Sequence, residues 1–143
     1  MIFEGVNDIG TADRTTPNQT LTGDSIILAY EQMITRAHSK GISFFGATIT
    51  PPGAPNTTIQ SYGTPEGLPT RSSVNEWIRT LGAFDAVVDF HKVVKNPEDP
   101  DMLNPRYNSG DFGYPNEADY HAMARTFPLD VLEEYGRGVS TFM

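Results

Sequence analysis

The sequence predicts an α/β domain built on a parallel sheet with helices on both faces, a three-layer arrangement. Two observations predict it. Short apolar runs of strand length alternate with longer runs whose apolar residues recur at helical spacing, in the order strand, loop, helix, three times over. Glycine or proline stands where each of the first two helical runs and the middle strand should stop.

Residues 1–4 read as a short strand leading into Gly5-Val6-Asn7-Asp8, and the polar stretch from Thr11 to Thr22 as loop. From Asp24 to Lys40, Ile26, Tyr30, Met33, Ile34 and Ala37 mark one face of a helix, with Gly41 as its stop. Ile42 to Ile49 is a strand closed by Pro51-Pro52-Gly53, and a long Pro- and Gly-rich loop runs on to about Thr70. Val74, Trp77, Ile78 and Leu81 give the apolar face of a second helix ending at Gly82, and Phe84 to Phe90 is the third strand. Residues 91–115 read as loop. Asn116 reads as an N-cap with Asp119 as its capping-box partner, ahead of a helix burying Tyr120, Met123, Ala124 and Phe127. Pro128 interrupts that helix, and Leu129 to Glu134 adds a further turn. Three strands are few for such a sheet, so residues 1–143 read as one domain lacking its first strands.

Composition narrows the function classes. A chain of 143 residues fits one domain, and 38% apolar with 20% charged residues is ordinary for a globular protein. The net charge of −8, with ten scattered Lys and Arg, argues against a nucleic-acid partner, since phosphate backbones are met by clustered cations. There is no cysteine, which removes disulfides, thiolate metal sites and a Cys nucleophile. No apolar run approaches the roughly 20 residues of a membrane span, and the first residues carry no signal-peptide pattern. Asn18 and Asn56 open glycosylation sequons, which matter only in a secretory compartment.

In parallel α/β sheets ligands collect at the carboxyl ends of the strands. Those positions are Gly5-Val6-Asn7-Asp8, then Thr48 and Thr50, then His91, with the loop Asn108 to Asn116 nearby in sequence. His91, just past a strand, is a candidate ligand contact, although a solvent-facing loop histidine is the plainer expectation. His38 and His121 sit in helical runs among polar neighbours and read as surface residues. No His, Asp and Glu cluster has metal-ligand spacing, so neither metal nor cofactor is expected.

Several of these strings, in order, resemble the GDSL/SGNH-type esterase family. Gly5-Val6-Asn7-Asp8 is similar to that family's G-x-N-D block. Gly46-Ala47-Thr48-Ile49-Thr50-Pro51 resembles its strand end, and Arg71 to Arg79 with Phe84 to Phe90 its next helix and strand. Ser109-Gly110-Asp111 through Pro115-Asn116, then Tyr120 and Met123-Ala124, resembles its S-G-D-x-x-H-P-N-x-x-G-Y-x-x-M-A block. The resemblance spans nearly the whole chain and implies the family's flavodoxin-like sheet, with only the C-terminal part of the domain present. It also implies acyl transfer by a serine triad, with Asp111 orienting a histidine base and with Asn7 and the Gly5 turn serving the oxyanion hole.

Two positions depart from the pattern. Tyr114 stands where the family has its catalytic histidine, and a phenol with a pKa near 10 is a poor proton acceptor at neutral pH. The family's G-D-S nucleophile block precedes G-x-N-D, whereas Gly23-Asp24-Ser25 follows it and opens a helix, where Asp and Ser are explained by capping. The expectation is therefore a truncated or decayed esterase relative with little or no turnover. Two alternatives use the same residues: an active esterase whose nucleophile block lies on sequence not included here, or a non-catalytic module binding an ester or acetylated glycan. Small esters or acetylated glycans are the ligand classes the resemblance implies, and an open sheet edge at residues 1–4 implies self-association.

Overall fold

The computed structural model describes residues 1–10, 22–53, 63–80, 83–110 and 115–136. Among these, strands β1 (Phe45–Ala47) and β2 (Ala86–Val88) pair in parallel, with Phe45 opposite Ala86 and Ala47 opposite Val88. Helix α3 (Gly67–Thr80) connects them. Ile2 adds one parallel bridge on the other side of β1, donating its N–H to Phe45 O (2.8 Å) and accepting from Ala47 N (2.9 Å). The order across the sheet is thus Ile2, β1, β2. A mixed α/β fold with parallel pairing stands, but the three expected strands are a two-stranded sheet and a single bridge.

The strands are shorter than their apolar runs for identifiable reasons. Ile42 N–H is taken by Ala37 O (3.0 Å) at the end of helix α2 (Gly23–His38), which delays the strand to Phe45. The Asn75 amide takes both backbone groups of Ile49, accepting from its N–H (2.7 Å) and donating to its C=O (2.8 Å). Past Val88, Asp89 caps a short helix, α4 (Phe90–Val94), by accepting from Lys92 N.

Residues 91–115, read above as loop, therefore contain structure. Helix α4 forms because Asp89 supplies the cap and Phe90 and Val94, four apart, bury together. A 3-10 turn at Pro105–Tyr107 follows, capped by Asn104. Helix α5 (Glu117–Thr126) begins at the expected N-cap Asn116, and α6 (Leu129–Gly136) begins after Pro128. Helix α1 (Val6–Gly10) is a single turn after the Ile2 bridge. Helix α3 starts at Gly67, earlier than expected, with Pro69 in its first turn, where an N–H has no partner within the helix. Leu81 and Gly82, the Thr11–Leu21 part of the first loop and both sequons lie outside the described residues. Among the described residues no helix is long and apolar enough to cross a membrane.

Buried residues gather in two clusters that share the sheet. Ile9 of α1, Ile26, Tyr30 and Ile34 of α2, and Val74, Trp77 and Ile78 of α3 pack with Ile2, Ile49 and Phe84. Phe90 and Val94 of α4, Leu103, Tyr107 and Met123 of α5 pack with Ala47 and Val88. The Phe84 ring is wedged among Tyr30, Phe44 and Trp77, with centroid separations of 5.9, 6.1 and 5.7 Å. It also lies so close to Gly46 that a Cβ there would sit 2.5 Å from a ring carbon. Because three neighbouring aromatics hold the ring, it has nowhere to retreat. Gly46→Ala is therefore expected to cost roughly 1–3 kcal/mol by overpacking. Urea melts should show a lower midpoint with unchanged slope; an unchanged midpoint would mean the ring moves freely.

Candidate functional site

The carboxyl ends of the strands carry the densest polar arrangement among the described residues. Its sequence basis is a stripe on α3, Arg71, Asn75 and Arg79, spaced four apart and so aligned on one face. Asn75 clamps Ile49 as described. Arg79, one turn on, meets Asp89 with both arms of its fork, Nε to Oδ2 (2.9 Å) and Nη2 to Oδ1 (3.0 Å). Asp89 also accepts from the Thr48 hydroxyl (2.9 Å) and from Lys92 N (3.1 Å). Thr48, fully buried, accepts in turn from His91 N (2.9 Å). One carboxylate thus joins the end of β1, the last turn of α3 and the first turn of α4.

Burial pulls the Asp89 carboxyl upward, but hydrogen bonds from Arg79, Thr48 and Lys92 N outweigh it and hold it at about 2, below its ordinary 3.8. Its stabilising contribution is present above pH 3.8 and is lost as pH falls towards 2. Arg71, only 3% exposed, donates from Nη2 to Asp101 Oδ1 (2.7 Å), while its Nε has no partner among the described residues. Burial lowers the pKa of its guanidinium despite the Asp101 charge.

His91 is not in a solvent-facing loop. It occupies the second position of α4 with both ring nitrogens engaged, Nδ1 against Arg79 Nη2 (3.0 Å) and Nε2 against Pro100 O (3.0 Å). The other histidines are engaged too. His38 Nε2 meets Asp85 Oδ2 at 2.8 Å beside a shallow cavity of about 200 Å³ at the opposite end of the strands, and His121 faces Glu117 at 3.5 Å. No imidazole among these is hydrogen-bonded to a serine.

Gly5 turns the chain after the Ile2 bridge with φ +104°, a conformation that favours glycine, and a Cβ there would lie 2.8 Å from Ile49 Cδ1. The Tyr30 hydroxyl holds this turn by donating to Glu4 O (2.7 Å), and burial raises its pKa. Asn7 lies exposed in α1. Ser25 is also exposed, in the first turn of α2, its N–H and hydroxyl both on Thr22 Oγ1 at 3.3 and 3.1 Å. Asp111 and Tyr114 lie outside the described residues. Among the described residues no group of three metal-ligating side chains forms.

Asp119 corrects one expectation. Asn116 Oδ1 caps α5 by accepting from Asp119 N (3.1 Å), but the reciprocal arm of the capping box is missing. Asn116 N–H goes to Tyr107 O (2.8 Å) instead, and both carboxyl oxygens of Asp119 are buried without a partner among the described residues. The sequence singled out Asp119 only as a capping partner, and it did not single out the Arg79–Asp89 and Arg71–Asp101 pairs. The spacing of four along α3 was the available signal for the arginines.

Comparison with protein-family models and with curated proteins gives no match for this chain.

Burial pushes the Asp119 carboxyl up to about 6 from 3.8. Between those values the folded chain keeps a proton that the unfolded chain releases, so this contribution is full below pH 3.8 and lost as pH rises through 6. Asp119→Asn removes the titration. The stability of the variant relative to the parent is expected to rise by about 2 kcal/mol between pH 4.5 and pH 8 in urea melts. A difference independent of pH would show that the carboxyl finds a partner.

Proposed function

We propose that this chain is a decayed relative of the SGNH-type esterases, keeping elements of the family's strand-end scaffold without ordinary ester hydrolysis of its own. The carrying observation is that, among the described residues, no serine is hydrogen-bonded to a histidine. All three histidines are bound to partners other than serine, and the serine of Gly23-Asp24-Ser25 is spent in the cap of α2. A serine hydroxyl is a weak nucleophile unless a base lies within hydrogen-bond reach.

The family reading itself rests on the sequence blocks, and the parallel order of Ile2, β1 and β2 supports it. So does the Gly5-Val6-Asn7-Asp8 turn directly after the first of these segments. Tyr114 at the histidine position adds a second deficit, since loss of an essential triad member removes on the order of 10⁴-fold or more in rate. Small esters or acetylated glycans are the ligand classes that such a strand-end scaffold would hold.

Self-association belongs to the same proposal. Phe3 is 39% exposed beside the Ile2 bridge, and no strand pairs beyond that bridge among the described residues. Light scattering on the purified chain should give a mass above that of one chain; a monomer with a sharp cooperative melt contradicts this.

The catalytic test uses p-nitrophenyl acetate and a serine-directed fluorophosphonate. Hydrolysis is expected at the buffer rate, with no covalent adduct by mass spectrometry, for both the parent and Tyr114→His. Stoichiometric labelling of Ser25, or a burst of nitrophenolate, would overturn the proposal.

A further inference from the structure

Two arginines share one face of α3, and their forks are matched unequally. Nε and Nη2 form one edge of the planar guanidinium, two parallel donors that suit the two oxygens of a carboxylate. On Arg79 that edge is complete, with both donors on Asp89 at 2.9 and 3.0 Å. On Arg71 only Nη2 is matched, donating to Asp101 Oδ1 (2.7 Å); Nε is buried and has no partner among the described residues.

The acceptors explain the difference. Asp89 is set against its arginine by Thr48 and Lys92 N. Asp101 belongs to a turn fixed by bonds of its own: the Lys95–Leu103 bridge, Asn96 N–H on Met102 O (2.8 Å), Met102 N–H on Asp99 O (2.9 Å), and Asp101 N–H on Asp99 Oδ1 (3.2 Å). Those bonds, not the fork, set how far the Asp101 side chain reaches. A carboxylate that is not part of the chain has no such tether. Charge-assisted hydrogen bonds are the strong ones, and a buried donor left unmatched is costly. A carboxylate meeting both nitrogens therefore gains what Asp101 does not supply.

Access and charge select the ligand. The Arg71 side chain is 4% exposed but that of Asp101 is 54% exposed, so the carboxylate meets Nη2 from the solvent side and solvent screens the pair. Turning Asp101 outward frees that approach without disturbing the backbone bonds of its turn. One positive charge awaits a ligand there, because Arg79 is committed to Asp89 and both nitrogens of His91 are engaged. A single guanidinium beside an acidic turn, in a chain of net charge −8, suits a planar monoanion better than a phosphate or a polycarboxylate.

We propose that Arg71 is the binding site for the carboxylate of a small organic monoacid, with Asp101 as the internal competitor that holds one arm of its fork until the acid displaces it. The proposal does not rest on the esterase reading, since it needs neither a nucleophile nor a base.

Titration of the full chain with sodium propionate at pH 7, at ionic strength held constant with sodium chloride, tests it through the NMR signal of the Arg71 Nε–H. A tethered competitor acts at an effective concentration on the order of millimolar, so the parent is expected to saturate in that range or above. Asp101→Ala removes the competitor, and the apparent Kd should fall about ten-fold. Propionamide, which has the same shape without the charge, should leave the signal in place in both proteins. Asp101→Asn, which removes the charge but keeps an acceptor for Nη2, should also bind more tightly than the parent and serves if the Ala variant does not fold. The proposal is overturned if the Arg71 signal does not move saturably, if propionamide moves it equally, or if removing the Asp101 charge leaves the Kd unchanged or weakens binding.

Discussion

The described structure depends most on the carboxylate of Asp89. It sits where β2 ends, and its four hydrogen bonds fix three things at once: the end of β1 through Thr48, the orientation of α3 through Arg79, and the start of α4 through Lys92 N. The parallel pairing has only three residues in each strand, too few to set its neighbours by backbone bonding alone. A half-buried charge shared among a strand, a helix and a cap compensates for that short ladder. Removing it would leave the Thr48 hydroxyl buried and Arg79 without its bidentate partner, and orphaned groups cost more than paired ones contribute.

Two aspartates show how far surroundings decide chemistry. Asp89 is surrounded by donors and held near 2; Asp119, buried with no donor among the described residues, rises to about 6. The first acts as an anion that organises structure, the second is a neutral acid over much of the acidic range. Neither arrangement resembles a base poised beside a nucleophile, and His91, the imidazole at this edge, turns its Nδ1 to the same arginine that Asp89 binds. The end of the sheet where α/β folds receive ligands is in this chain a junction. Its polar groups are largely consumed in holding elements together.

What the sequence revealed follows from the range of the interactions. Periodicity over four turns exposed the buried faces of α2 and α3 because Ile26, Tyr30 and Ile34, or Val74 and Ile78, lie four apart on one helix face. The Asn116 cap was equally local. Helix α4 was missed because five residues carry too little periodicity, and its cap, Asp89, lay inside an apolar run that read as strand. The strand lengths were overestimated because their limits are set by side chains from elsewhere, Asn75 on Ile49 above all. The polar junction was the least legible part: Thr48 and Asp89 are 41 positions apart, and no local pattern announces their meeting. Of this polar junction, His91 was singled out by its place after a strand end, though as a loop residue facing solvent, and the arginines beside it were not.

The account's central claim is that this edge is a structural junction organised by one saturated carboxylate. The most direct measurement is the pH titration of the Asp89 side-chain carboxyl, followed by its carbon-13 shift in the folded chain. A midpoint at about 2, shifting back towards 3.8 in Arg79→Gln, is the result the account predicts. A midpoint near 3.8 in the parent chain would mean the carboxylate is free for other work, and would contradict it.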